Sequence, residues 1–186
     1  HARFEVEDPT PWQNASKDWR YDFKGGDAVD LQIGSSRTDK QKAGNTFLPG
    51  DVRVLIASDN NKTGFNAVAM WKRVPEGLAK EPLTYNSPVA TEEFERVELL
   101  QDVRLELTKT ETGYIAEVSI PWSALHRKPP PKGQALLGDL GVLLSDQSGS
   151  RTVLRRYLFN KDANIVDDVP SESRITSKSW GGLMFE

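Results

Sequence analysis

Short stretches in which apolar and polar residues alternate recur along this chain. In residues 102–109 and 114–120 every second residue is apolar, which is the period of a β-strand with one buried face. The tight, glycine-containing turn at residues 110–113 predicts that these two strands form a hairpin, with Val103, Leu105 and Leu107 facing inward. Further strands are predicted at residues 3–7, 28–34, 51–57, 65–74, 94–99, 136–145, 152–159 and 180–186.

Turn-forming residues separate most of these strands, and helical patterns are scarce. Residues 13–21 are interpreted as a helical turn or an irregular loop, and Trp122–Leu125 as one short helical turn after Pro121, which stops the preceding strand. Polar loops are expected at residues 35–50 and 75–88, and a hairpin turn at residues 58–64. The pattern predicts an all-β fold, an antiparallel two-sheet β-sandwich with long loops.

No internal repeat or linker divides the chain, so residues 1–186 are expected to form a single domain. Residues 51–57 are apolar on both faces toward their end, so this strand is expected to lie centrally between layers.

The composition narrows the function classes. The residues are 37% hydrophobic and 27% charged, which is typical of a globular domain. A net charge of −3 disfavours a nucleic-acid partner, which needs a clustered basic excess. Without a run of 18 apolar residues, we expect no membrane span. The chain contains no cysteine, which excludes disulfides, thiolate metal sites and cysteine nucleophiles.

The most specific sequence signal is an ordered set of motifs. It begins with the strand and turn of residues 111–125, which end in Ile-Pro-Trp-Ser-Ala-Leu, and continues with Gly-Asp-Leu-Gly at residues 138–141. Related motifs occur at residues 26–34, 51–57, 155–160 and 180–185. Together they resemble the family 9 carbohydrate-binding modules and their DOMON-like relatives. The chain departs from that family before Phe4, where the usual opening segment is not found.

The resemblance implies a non-catalytic module that binds a polysaccharide or oligosaccharide. It also implies an extracellular or periplasmic location and attachment to a larger multidomain protein. No cofactor is required, although some members of the family carry structural calcium and related folds bind haem.

Aromatic side chains are the first candidates for a glycan site, because an indole packs well against the C–H face of a sugar ring. Trp71, at a strand end before a long loop, is the leading candidate for a platform, with core packing as the alternative. Trp12 and Trp19, in an irregular loop, are the next candidates. Trp122 and Trp180 are interpreted as core residues.

Polar recognition is assigned to Arg155 and Tyr157, which share one face of a predicted strand while Arg156 points away. Arg155 could donate to sugar hydroxyls or to a uronate carboxylate, and its alternative role is a salt bridge. Asp139 and Asp146 are the candidate calcium ligands, with loop and turn hydrogen bonding as the alternative for each.

Other functions remain open as alternatives. A structural or interaction domain could keep this fold without binding sugar. The chain has none of the common nucleophile, phosphate-binding or zinc motifs, so we predict that it is not an enzyme. Two further alternatives are a copper site of His1 and His126, as in oxidative polysaccharide-cleaving enzymes, and haem ligation by Met70 and His126.

Overall fold

The computed structural model describes residues 1–35, 46–60 and 64–185. Residues 36–45 of the predicted loop at 35–50 and residues 61–63 of the predicted turn at 58–64 lie outside the described residues. The strands in the described part of the chain are β1 Ala2–Glu7, β2 Ala28–Ile33, β3 Val52–Ser58, β4 Phe65–Trp71, β5 Leu83–Asn86, β6 Thr91–Phe94, β7 Arg96–Leu99, β8 Arg104–Lys109, β9 Gly113–Ser119, β10 Ala135–Ser145, β11 Thr152–Tyr157 and β12 Gly181–Met184. The helical elements within the described residues are α1 Val169–Ser173 and three 3₁₀ turns, Trp19–Tyr21, Trp122–Leu125 and Ser177–Ser179.

Two antiparallel sheets form the predicted sandwich. The large sheet has the strand order β11-β10-β2-β3-β4-β7, and β12 pairs with the first residues of β10. The small sheet has the order β1-β9-β8, and β5 and β6 form a separate hairpin. All strand pairings are antiparallel, which confirms the predicted fold class. Among the described helices, none has the length and apolar character needed to cross a membrane.

The two sheets enclose the main hydrophobic core. Phe4 and Val118 of the small sheet contribute to it, as do Val54 and Trp71 of the large sheet. Because strand side chains alternate, the residues between these face the opposite side of each sheet. Leu107, predicted to be inward, is instead 40% exposed, because β8 is the edge of the small sheet.

The large sheet is buried on its second face as well. There Leu55, Met70 and Phe94 belong to another hydrophobic cluster, which the β5–β6 hairpin and α1 help to enclose. β3 lies between β2 and β4 and is buried along almost its whole length, which confirms the central position expected for residues 51–57. The sequence patterns did not predict α1 or the strand β5, which falls in the expected loop at residues 75–88.

A buried ion pair lies on this second face. Arg53 and Asp30 are fully buried, with Arg53 Nη2 2.8 Å and Nε 2.9 Å from Asp30 Oδ2. The Tyr157 hydroxyl donates to the same carboxylate oxygen, and Arg53 Nη1 donates to the carbonyl of Ser173 at the end of α1. The negative charge of Asp30 raises the pKa of Arg53 further, against the effect of burial. The pair therefore links β2, β3 and α1.

Removing the cation of this pair should strongly destabilise the fold. Arg53→Met keeps much of the side-chain stem but leaves Asp30 buried without its partner, so we expect a loss of about 3–5 kcal/mol in the free energy of unfolding. Urea denaturation followed by circular dichroism measures it. In the control Arg3→Ala, which breaks the exposed pair with Glu5, the loss should be below about 1 kcal/mol. Equal losses in the two variants would contradict this role of the pair.

Asp22 should make stability depend on pH. Burial raises the pKa of its carboxyl to about 7, although the Asn66 amide donates to it at 3.0 Å. Between the ordinary pKa near 3.8 and about 7, the folded state holds this proton more tightly than the unfolded state does. Stability should therefore fall as pH rises through this range, by at most about 1.4 kcal/mol per pH unit for one proton.

Asp22→Asn removes the titrating group and should flatten this slope in urea denaturation measured across the same pH range. Burial also raises the pKa of Asp27, to about 6, so part of the slope should persist in the variant. An unchanged slope in Asp22→Asn would contradict the assignment.

Candidate functional site

The structure corrects the leading platform candidate. Trp71 is fully buried in the core between the two sheets, so its ring faces cannot meet a sugar. The alternative interpretation, core packing, describes its position. Trp180 is also buried, as predicted, and its indole N–H donates to Gln32. Trp122 is half-buried and packs against the core, with the Arg127 guanidinium over its ring.

The two loop tryptophans are more accessible. Trp19 is half-buried at the start of a 3₁₀ turn, and the guanidinium of its neighbour Arg20 lies 5.1 Å from the centre of its ring. Trp12 is half-buried and contacts the Tyr114 ring edge to face, at 5.0 Å between ring centres. The three predicted platform residues are thus not brought together into one site.

The predicted polar recognition residues are occupied inside the protein. Arg155 is buried and its Nη2 lies 2.8 Å from Glu172 Oε2, so the salt-bridge alternative is the one that the structure adopts. The partner carboxylate comes from α1 and not from a neighbouring strand. Tyr157 donates to Asp30, as described above, and Arg156 points away as predicted. The Arg155 Nε–H has no partner in the described protein, but it is buried, and the Tyr157 hydroxyl is bonded to Asp30, so neither residue presents an accessible free group to a glycan.

The two candidate calcium ligands also hold local structure. Asp139 accepts backbone N–H donors from Leu140, Phe159 and Asn160, and these bonds fasten the loop after β11. Asp146 accepts from Ser148 and Ser150 within its turn. Among the described residues, no group of three or more acidic or histidine side chains has the arrangement of a metal site. The loop and turn interpretations fit both residues.

The histidine alternatives are not supported by the geometry. His126 lies near Trp71, with 6.0 Å between the ring centres, whereas Met70 belongs to the cluster on the opposite face of the large sheet. Met70 and His126 therefore cannot ligate one haem. His126 contacts Glu98 at 3.2 Å, whereas His1 lines a cleft, described next, that His126 does not line.

Two concave surfaces are candidate binding sites. The larger, here called the edge cleft, has a volume of about 810 Å³ and lies between strands β1 and β9 of the small sheet and β2, β10 and β12 of the large sheet. Its walls are mostly aliphatic, with the half-buried pair of Trp122 and Phe185 on one side. Apart from His1, Arg3 and Lys132, the residues that line it offer few hydrogen bonds to a hydroxyl-rich ligand.

The smaller surface, here called the Trp12 pocket, has a volume of about 420 Å³ and is lined by residues 8–12, residues 109–114 and Leu107. One wall is the segment that follows β1, in which Asp8 Oδ1 accepts from the Thr10 N–H at 2.9 Å and from the Thr10 hydroxyl at 2.7 Å. This is the turn that an aspartate followed by a threonine two residues later favours. The other wall is the turn between β8 and β9.

Strand pairing brings these two walls together. β1 pairs with β9 so that Glu7 lies opposite Gly113, and the Asp8 N–H donates to the Thr112 carbonyl at 2.9 Å. A Cβ atom at position 113 would lie only 2.0 Å from the Val6 carbonyl oxygen, so this close approach requires glycine. The pocket is therefore a consequence of how the small sheet is assembled.

Three polar groups in the walls of the Trp12 pocket have no hydrogen-bond partner within the described protein. They are the Asp8 Oδ2 oxygen, the Trp12 indole N–H and the Tyr114 hydroxyl. Asp8 is 4% exposed and Tyr114 is 5% exposed. Because buried polar groups in proteins are nearly always paired, three unpaired ones around one pocket indicate a site that a polar ligand could satisfy.

The electrostatic surroundings keep the phenol protonated. Burial, followed by the negative charges of Asp27 and Asp8, raises the pKa of Tyr114 above its ordinary value. The Tyr114 hydroxyl is therefore a donor throughout the physiological range, as the Trp12 N–H always is. The pocket combines two donors with one carboxylate acceptor.

The sequence interpretation identified Trp12 but missed Asp8 and Tyr114. Tyr114 lies on the apolar face of an alternating strand, a position at which an aromatic ring usually belongs to the core. Asp8 stands in Asp-Pro-Thr-Pro-Trp, where the two prolines indicate only that the first strand ends. The usable signal was the Asp-x-Thr turn beside a tryptophan.

Comparisons of this chain with models of protein families, with curated proteins and with solved structures gave no match.

The Tyr114 hydroxyl should contribute little to folding. Because it lacks a protein partner, Tyr114→Phe should change the free energy of unfolding by less than about 0.5 kcal/mol or increase it. The matched control is Tyr85→Phe, which removes a buried hydroxyl that donates to the Arg20 carbonyl at 2.7 Å and should cost about 1 kcal/mol. Urea denaturation compares the two, and a larger loss for Tyr114→Phe would show that its hydroxyl has a structural partner.

Proposed function

We propose that this chain is a non-catalytic glycan-binding module, as its resemblance to the family 9 carbohydrate-binding modules implies, and that the Trp12 pocket holds the sugar. The observation that carries the proposal is the set of three unpaired polar groups in the walls of a pocket that also contains a half-buried indole. The module would act within a larger extracellular or periplasmic protein and bring it to a polysaccharide or oligosaccharide.

The chemistry of the pocket matches that of a sugar. A pyranose presents an apolar C–H face and a rim of hydroxyls, each of which donates and accepts hydrogen bonds. The indole of Trp12 offers a surface for the C–H face, while Asp8 accepts and Tyr114 donates at the rim. A volume of about 420 Å³ lies within the range of small-molecule sites, about 300–1,000 Å³.

Access to the unpaired groups involves the Trp12 side chain. Trp12 lies on the segment after β1 and is only half-buried, so a rotation of its ring can uncover the polar atoms beside it. Stacking on the sugar and exposure of the hydrogen-bonding groups would then occur together.

The second candidate function is an interaction domain that keeps the fold without binding sugar. The observation that favours it is the edge cleft, whose aliphatic walls suit an apolar segment of another protein better than a sugar.

Removing the Trp12 ring should weaken glycan binding. Once a glycan array has identified a bound oligosaccharide, isothermal titration calorimetry should show that Trp12→Ala lowers the affinity at least about tenfold, which corresponds to 1.4 kcal/mol. Trp19→Ala is the matched control, since Trp19 is also a half-buried loop tryptophan, and its affinity should stay within about twofold of the wild type.

Circular dichroism spectra of both variants establish that they remain folded. A wild-type protein that binds no glycan on the array would overturn the glycan-binding function in favour of the interaction domain. Binding that survives Trp12→Ala but is lost in Trp19→Ala would overturn the location of the site.

A further inference from the structure

We infer that the Trp12 pocket selects uncharged or amino sugars and rejects uronic acids, because Asp8, which lines it, has a buried carboxylate oxygen without a hydrogen-bond partner in the described protein. This inference rests on the proposed function and specifies the class of glycan that the site takes.

Only one of the two Asp8 carboxylate oxygens has a hydrogen-bond partner in the described protein. Its Oδ1 accepts two bonds from Thr10, which hold the carboxylate in place, while its Oδ2 has no partner within the described protein. A carboxylate can only accept, so the ligand group that meets Oδ2 must be a donor such as a hydroxyl or an ammonium group. A hydrogen bond to a charged acceptor is roughly twice as strong as one between neutral groups.

The charges around the pocket oppose an anionic ligand. Besides Asp8, the exposed Glu111 lies on the wall, and the buried Asp27 is close enough for its charge to act on Tyr114. Solvent screens the charges of both exposed residues of the wall, Glu111 and the cationic Lys109, and these opposite charges largely offset each other. A uronate carboxylate held against Asp8 would bring two like charges together with little compensation.

The fold places the other candidate cation, Arg155, away from the pocket. Arg155, which the sequence offered as a partner for a uronate carboxylate, is paired with Glu172 beneath α1 and does not line the pocket. Trp12 and Tyr114 supply the donors in the walls of the pocket, and these can bond the neutral hydroxyl oxygens of a sugar. Recognition of a hydroxyl therefore needs no cation.

Carboxyl reduction of the ligand tests this selectivity directly. Uronic-acid oligosaccharides and the neutral oligosaccharides made from them by carboxyl reduction have the same linkages and length. Affinities for such pairs are measured by isothermal titration calorimetry beside a neutral set and a glucosamine set. We expect each reduced form to bind at least about tenfold more tightly than its uronic parent.

Asp8→Asn locates the selectivity. The amide oxygen can still accept from Thr10, but the charge is lost, so affinity for neutral oligosaccharides should fall about tenfold and the difference between uronic and reduced forms should shrink. Asp146→Asn is the matched control, because Asp146 also accepts from a hydroxyl residue two positions on but does not line the pocket. It should leave both quantities unchanged, and thermal unfolding should show both variants folded.

The outcomes separate the two proposals. If the wild type binds none of these oligosaccharides and none on the glycan array, the proposed function is overturned. If it binds uronic forms as well as or better than the reduced forms, the function stands and the selectivity is overturned. If Asp8→Asn leaves the discrimination unchanged, the assignment of Asp8 as its source is overturned.

Discussion

The fold depends on the burial of the large sheet on both of its faces. One face packs on the small sheet, and the other is covered by the β5–β6 hairpin, α1 and the segment that carries Trp180. Two-sided burial leaves polar side chains of the central strands without water, so Asp30 and Arg53 must satisfy each other. The same constraint takes Arg155 out of the surface and pairs it with Glu172. On an exposed sheet such arginines could bind a ligand, whereas here Arg53 and Arg155 hold α1 against the large sheet.

The small sheet, by contrast, has the features of a binding surface. Its β1–β9 register places the turn after β1 against the β8–β9 turn, and the glycine at position 113 allows the two backbones to approach closely. The three unpaired polar groups of the Trp12 pocket, which belong to Asp8, Trp12 and Tyr114, lie beside this contact. The assembly of the sheet and the chemistry of the proposed site therefore have the same cause, which is the close contact of two short turns.

Much of the architecture could be predicted, and little of the site. Alternation puts Tyr114, Ala116 and Val118 on one face of their predicted strand, and all three lie in the core, because a strand with period two has only two faces. The burial of Trp71 could not be predicted from the sequence. Its position at a strand end before a loop is equally compatible with exposure and burial, and the packing of His126 and the core around it decides the matter. The hairpin and helix that cover the second face also escaped prediction, since short segments carry too few residues for a periodic signal.

The sequence by itself determined the all-β class, the antiparallel hairpins and the central position of β3, because these follow from local alternation and turn chemistry. It also identified Trp12 as an aromatic residue in an irregular segment. Only the tertiary structure decided which aromatic rings are accessible, which charges are paired, and that Asp8 and Tyr114 lie beside Trp12. These properties depend on contacts between residues that lie up to about a hundred positions apart in the sequence. A local sequence pattern does not predict such contacts.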